Sequence, residues 1–404
     1  MKICAVICEF NPFHNGHKFV LDKAKEMSGC DAVLCVMSGN FVQRAEPAIV
    51  NKAFRTKISL LNGADFVVEL PVFFSTMSGE LFSYGAINII KQIKKVTHLA
   101  FGSECGNIDD LRKIATLQLS EEFNSNLKKI LNSGISYSGA MSILTGKEMK
   151  SNDILAIEYI KQLVKTNSQI TPIAIQRQKS NYNDTTLINN FSSATAIRNG
   201  LKLIGADLLN HPIFYSEQYN GSEMPAPTND LFLLEKNVPN LNELINHIST
   251  NNVNFNLFEK LIIASIRNNK NLSALVDARE GLEIKLKKNA LEHNNLEKIF
   301  ELTKSKRYTM SRIKRLAIQA LFNIIPQMLS KLNPVPIRVL GVRNDFKKHL
   351  NVFPQKNTII STKDYYKLKK KHSDYIRIEK EAENIFSLLT ASPSRFYSYQ
   401  LVVI

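Results

Sequence analysis

Residues 3–17 read Ile3-Cys4-Ala5-Val6-Ile7-Cys8-Glu9-Phe10-Asn11-Pro12-Phe13-His14-Asn15-Gly16-His17, and the order of residue types in this stretch decides the fold. The apolar run 3–10 carries Val, Ile and Cys on both faces, as expected of a strand in a parallel sheet covered from both sides. It ends in a turn, and a helix predicted over 17–27 begins around Gly16 and His17. Ligands of open α/β sheets bind outside the carboxyl ends of the strands. The amino end of a helix adds free N–H groups and the positive end of a dipole, which suits phosphate. Gly16 lets the backbone approach phosphates with no Cβ in the way. His14 and His17, three apart, can face one position. There they can donate hydrogen bonds to the charge that builds on an α-phosphate and a departing pyrophosphate. The loop 11–17 is therefore read as the holder of ATP, with His14 and His17 catalytic. Two histidines at this spacing could also be core or metal residues, but their place directly behind a first strand favours phosphate. Neither G-x-x-x-x-G-K-[ST] nor G-x-G-x-x-G occurs, which argues against P-loop and dinucleotide sites.

Working outward, strand-length apolar runs at 3–10, 32–37, 66–70, 98–102 and 170–175 alternate with amphipathic stretches at 17–27, 51–62, 79–94, 153–165 and 194–201. This alternation predicts βα units and a doubly wound parallel sheet. Residues 119–150 break the pattern and read as an insertion over the sheet, a candidate lid. From about 207 to 230 the chain is irregular, the mark of a linker or surface crossing. Helical periodicity resumes over 241–268 and 280–322, followed by a strand-like run at 337–341. The expected division is an ATP-binding domain over 1–206 and a mainly α-helical, basic carboxy-terminal domain over 207–404.

A length of 404 residues suits two or three domains, and 44% hydrophobic with 22% charged residues is the profile of a globular protein. The opening segment lacks a secretory layout and no window approaches a membrane span, so a cytoplasmic protein is expected. The five cysteines, Cys4, Cys8, Cys30, Cys35 and Cys105, form no C-x-x-C pair and are expected to be buried, reduced core thiols. No dedicated cage of carboxylates for a metal is visible. The net charge is +16, and between 301 and 377 the chain carries 18 Lys and Arg against 4 Asp and Glu, a local balance of +14. Such a concentration points to a polyanionic partner.

A second anion-binding terminus is read at Ser192-Ser193-Ala194-Thr195-Ala196-Ile197-Arg198. Small hydroxyl residues precede a helix there, with Arg198 one turn in. As the last βα junction of the sheet, it is expected to grip the β- and γ-phosphates through Ser193 and Arg198.

H-x-G-H after the first strand with S-S-x-T-x-I-R after the last resembles the nucleotidylyltransferase superfamily. A closer resemblance covers most of the chain. AVICEFNPFHNGH, MSGNFVQRAEPAIVNK, NGADFVVELP, FGSE, QRQKSNYND, SSATAIR and KRYTMSRIKR, in that order over residues 5–315, resemble the bacterial tRNA(Met) cytidine acetate ligase family. The resemblance implies a nucleotidylyltransferase-like Rossmann domain in which acetate attacks the α-phosphate of ATP. The exocyclic amine of the wobble cytidine of elongator tRNA(Met) then takes the acetyl group, forming N4-acetylcytidine. It implies ATP as substrate, which Mg2+ is expected to accompany, held by phosphate oxygens. It also implies ATP contacts at Ile7, Cys8, Glu9, Phe10, Asn11, Pro12, Phe13, His14, Asn15, Gly16, His17, Lys18, Phe19 and Val20, at Gly102 of FGSE, at Asn152 and at Arg177. Two positions depart from the family pattern. Ala45 stands where Gly is usual, which a negative φ would tolerate, and Asn183 stands where His is expected.

KRYTMSRIKR joins a basic run to an aromatic ring. Lys306, Arg307, Arg312 and Arg315 are expected along RNA phosphates, with Tyr308 free to stack. The later KDYYKLKKKH, 363–372, has the same character. The competing reading is a small-molecule adenylyltransferase, which has no evident need for this basic segment. A non-catalytic RNA-binding protein is opposed by the intact His14, Gly16, His17 and Arg198.

Overall fold

The computed structural model describes residues 1–404 except 136, 178–185, 189, 208–225, 395 and 397–399; for 202–207 and 226–229 only the backbone is described. The five strands read from sequence are present as β1 (Ile3–Cys8), β2 (Ala32–Ser38), β3 (Phe66–Leu70), β4 (Val96–Ser103) and β5 (Thr171–Gln176). They pair in the order β3-β2-β1-β4-β5, all parallel. Val6 of β1 lies beside Cys35 on one side and Ala100 on the other. The flanking helices include α1 (Asn15–Ser28), α2 (Lys52–Leu61), α3 (Gly79–Lys91), α4 (Ser151–Lys165) and α5 (Ala194–Asp207).

Both faces of this sheet are covered, and successive β1 residues serve opposite cores. Ile3 and Ala5 join one apolar cluster, while Cys4, Val6 and Cys8 join the other. Period-2 alternation between two dry faces explains why β1 reads as a continuous apolar run. The chain lays β2 and β3 on one side of β1, then returns to lay β4 on the other. That reversal leaves a crevice above the carboxyl ends of β1 and β4.

The sheet does not end with the first half of the chain. β6 (Ile337–Val342) pairs antiparallel with β3, and β7 (Thr358–Ile359) and β8 (Val402–Val403) pair parallel with β6. The boundary placed at 207 therefore divides the chain and not the sheet. The described residues between α5 and these strands are mainly helical, with Leu241–Thr250, Phe255–Asn268, Leu282–Glu292, Leu296–Thr303 and Met310–Phe322 among the helices. A buried ion network ties the two parts together. Lys52 Nζ lies 2.7 Å from Glu69 Oε1 and 3.1 Å from Glu383 Oε2, and Arg338 Nη1 lies 3.1 Å from Glu69 Oε2.

Several expectations are corrected. Residues 119–150 form helices Glu121–Asn132 and Tyr137–Thr145, which bury Leu127, Ala140 and Met141 in the main core. They contribute to the core, and none of the described residues among them lines the cavity below. Cys4, Cys8, Cys30 and Cys35 are buried, but Cys105 is exposed, because it follows the end of β4 in a loop. Ala45 has φ +59°, not the negative value that would tolerate alanine without strain. It closes the three-residue loop of a hairpin between Phe41–Val42 and Glu46–Pro47, where a left-handed residue is the usual solution. Asn183 lies outside the described residues. Among the described residues no helix is long and apolar enough to cross a membrane.

Candidate active site

His14 is the residue that starts α1. Its backbone is extended, and its Nδ1 accepts the Gly16 N–H at 3.1 Å. His17 Nδ1 in turn accepts the His14 N–H at 3.3 Å. Each ring has spent its acceptor on the backbone, so the proton of each neutral imidazole sits on Nε2 as a donor. The rings stack with centroids 3.7 Å apart. A Cβ on Gly16 would lie 2.9 Å from His14 Cε1. Glycine is thus required by the folded-back histidine ring, a closer reason than approach to phosphate. Burial holds His14 down to about 3, helped by the charges of Arg177 and Arg198. Burial, then His14 and Arg177, keep His17 well below its ordinary value. Both rings are neutral at physiological pH. Phe10, at φ +50°, packs its ring 4.8 Å from Phe13 and 4.9 Å from His17 and so backs the pair.

The second wall comes from the end of β4 and the start of α4, which exchange carboxylates. Glu104 Oε2 accepts Asp153 N–H at 2.9 Å, and Asp153 Oδ1 accepts Glu104 N–H at 2.9 Å. Asn152 donates from Nδ2 to Glu104 Oε1 at 2.6 Å. A Cβ on Gly102 would meet Arg177 Cγ at 3.7 Å, an ordinary contact, so the protein alone does not demand glycine there. Arg177 extends β5 by donating its N–H to Ser103 O at 2.9 Å, while its buried Nε meets no partner among the described residues.

The third wall is the start of α5. Ser193 Oγ accepts Ala196 N–H at 3.1 Å as the helix cap. Arg198 donates from Nη1 to Asn11 O at 2.8 Å and from Nη2 to Thr195 Oγ1 at 3.2 Å; Arg44 Nη2 reaches the same hydroxyl at 3.1 Å. Asn237, which is buried, joins the two loops. Its carbonyl accepts Asn15 N–H at 2.8 Å and its Oδ1 accepts Ser192 N–H at 2.6 Å.

These walls enclose a cavity of about 190 Å³ over the switch point. Of the expected residues it gathers Ile7, Cys8, Glu9, Phe10, Asn11, His14, Gly16, His17, Phe19, Val20, Gly102, Asn152, Arg177, Ser193 and Arg198. Four of the expected residues do not line it. Pro12 and Phe13 face Val50, Phe54 and Val238 in a separate apolar pocket. Asn15 donates from Nδ2 to Lys236 O at 2.8 Å, and Lys18 pairs with Asp22 at 3.0 Å on the exposed side of α1. For Asn15 and Lys18 the reason is helical geometry: 3.6 residues per turn point only part of a first turn inward. Reading the sequence missed Gln43, Arg44 and Thr195 on the wall, Asn237 behind it, and Arg55. The last donates to Glu9 O at 2.7 Å and Ser38 O at 3.0 Å, holding the ends of β1 and β2. Gln43, Arg44 and Thr195 sit inside motif blocks already quoted; for Asn237 no local signal exists.

The basic run is only partly free. Arg312 Nη1 pairs with Glu280 Oε2 at 2.9 Å, and Arg315 Nε with Asp277 Oδ2 at 3.1 Å. Lys306 and Arg307 are exposed, Arg307 Nε lying 3.5 Å from Glu280. Tyr308 is buried and its hydroxyl donates to Glu280 O, so it is not available for stacking as expected.

A parallel sheet ordered 3-2-1-4-5, with an H-x-G-H helix start over its switch point, defines a nucleotidyl transferase. In agreement, the model of the HIGH Nucleotidyl Transferase family matches residues 1–399. The chain is 36% identical over 407 residues to tRNA(Met) cytidine acetate ligase of a Thermoanaerobacter species, covering 96% of this chain and 95% of that one. It also resembles crystal structures of Thermotoga maritima TmcAL. The apo form gives a TM-score of 0.84 at 28% identity, and the form bound with alpha-thio ATP gives 0.83 at 27%, each covering 100% of both chains. The chain belongs to the tRNA(Met) cytidine acetate ligase family.

Proposed function

We propose that this protein activates acetate with ATP and transfers the acetyl group to the exocyclic amine of the wobble cytidine of elongator tRNA(Met). The products are N4-acetylcytidine, AMP and pyrophosphate. The observation that carries the reading is the pair of neutral imidazoles over the switch point, each with its acceptor nitrogen occupied and its donor left for a ligand. An acetate oxygen attacks the α-phosphorus, and the bond to the bridging oxygen of pyrophosphate breaks. Charge grows on the phosphate oxygens during that step, where His14 and His17 present Nε2–H donors. Arg177, whose Nε meets no partner among the described residues, and Arg198, with Ser193 at the start of α5, hold the phosphates. Gly102 and Asn152 take the adenosine side.

Among the described residues no group of three or more His, Cys, Asp or Glu could hold a metal. Magnesium entering with ATP is held by its phosphate oxygens. Elongator tRNA(Met) lies against the exposed Lys306 and Arg307, with Arg312 and Arg315 beside them. The test is acetate-dependent exchange of labelled pyrophosphate into ATP, together with transfer of labelled acetyl to tRNA(Met). Exchange supported by a nucleotide-like metabolite and not by acetate would favour a small-molecule adenylyltransferase instead.

A further inference from the structure

We infer that Glu9 is the general base of the acetyl-transfer step, taking the proton that the cytidine amine loses as it attacks acetyl-adenylate. The inference rests on the reaction proposed above. In that step the bond from N4 to the acetyl carbon forms. The bond from that carbon to the phosphate oxygen breaks, its electron pair leaving with AMP. One N4 proton passes to a carboxylate oxygen of Glu9 and then to water.

The cavity offers few groups able to accept a proton. His14 and His17 are disqualified by their own hydrogen bonds. Each Nδ1 already accepts a backbone N–H, and a proton on both nitrogens would charge rings that burial keeps neutral. Arg44, Arg177 and Arg198 are permanent cations. Glu9 is the one Asp or Glu among the described residues that line the cavity.

Its placement fits the task. The Glu9 carbonyl accepts Arg55 Nη1 at 2.7 Å, and its Oε1 accepts Gln43 N–H at 2.6 Å. Among the described residues no hydrogen bond or ion pair engages Oε2. One oxygen is therefore anchored while the other is left for a ligand. A carboxylate repels triphosphate and acetate alike, so Glu9 does not hold the phosphates or the acetate. Burial also pushes the Glu9 carboxyl above the usual range, against the Gln43 N–H and the charges of Arg55, Arg44 and Arg198, which makes it a stronger base.

The test compares the wild-type full chain with Glu9→Gln and Glu9→Asp. Acetate-dependent pyrophosphate exchange reads the first step, and acetyl transfer to tRNA(Met) reads the second. In Glu9→Gln, transfer is expected to fall by about 100-fold or more while exchange falls by less than about tenfold; Glu9→Asp recovers part of the transfer. In the wild type, single-turnover transfer from preformed acetyl-adenylate should slow toward acid pH as Glu9 takes up its proton, by no more than about tenfold per unit. That profile remains decisive should Glu9→Gln fail to fold. Parallel loss of exchange and transfer would place Glu9 on ATP or its metal and overturn the assignment, as would undiminished transfer or a flat wild-type profile. Absence of acetate-dependent exchange in the wild type would instead remove the reaction itself, and the role of Glu9 with it.

Discussion

Arg198 Nη1 donates to the carbonyl oxygen of Asn11 at 2.8 Å, joining residues 187 positions apart. The two phosphate-binding motifs are thereby built as one cradle, with Asn237 fastening both from behind. Arg198 has a structural duty to the histidine loop as well as a charge to offer ATP.

Replacing it by lysine keeps the charge and loses the planar fork. Arg198→Lys should therefore lower acetate-dependent AMP formation by about 10- to 100-fold, because the loop is no longer held in register. Steady-state kinetics check this. An unchanged rate would show that charge alone matters.

His14 has two separable jobs, to start α1 through Nδ1 and to donate through Nε2. Asparagine is a good helix cap but offers no donor at the Nε2 position. His14→Asn should keep stability to within about 1 kcal/mol and still lose about 100-fold or more of adenylate formation. His14→Ala should lose similar activity and roughly 1 kcal/mol more stability. Urea melts and exchange assays on the two variants separate the roles.

The same residue sets a pH dependence. The native state binds no proton at His14 until about pH 3, whereas the unfolded chain binds one near 6.5. Between these values the unfolded state holds more protons, so stability rises with pH and is lost as pH falls from 6.5 toward 3. The slope from His14 is up to about 1.4 kcal/mol per pH unit, and His17 acts in the same sense. Denaturant melts at about pH 7.5 and 5 should show a larger loss for the wild type than for His14→Asn.

Ala45 holds φ +59° in a hairpin loop. Ala45→Gly should stabilise the protein by about 0.5–1 kcal/mol, since relief of the left-handed strain exceeds the added freedom of the unfolded chain. A fall in melting temperature would contradict this.

The basic run should divide by partner. Arg315→Ala leaves Asp277 without its cation and should cost about 1–3 kcal/mol of stability. Lys306→Ala should leave stability nearly unchanged, weaken tRNA binding across sequences and reduce the salt slope by about one unit. Binding titrations at several salt concentrations check both; a flat salt response would remove the phosphate contact.

Much of the sheet was legible in the sequence because strands dry on both faces leave apolar runs that nothing else imitates. The histidine loop was legible for a related reason, since a strand end, a turn and a helix start are all local events. Arg55, Asn237 and the Glu280 carbonyl under Tyr308 were not, because each acts on a partner far along the chain. A basic helix looks the same in sequence whether its arginines meet solvent or, as Arg312 and Arg315 do, acidic neighbours.

By itself, then, the sequence determined where strands and helices begin and which loop faces the switch point, since backbone propensity and hydrophobic period are properties of neighbours. Only the tertiary structure decided which side chains of that loop turn inward, which nitrogens of His14 and His17 remain available, and that β6 would finish the sheet from the far end of the chain. Those outcomes depend on hydrogen bonds and burial between distant segments, and such contacts exist only once the chain has closed on itself.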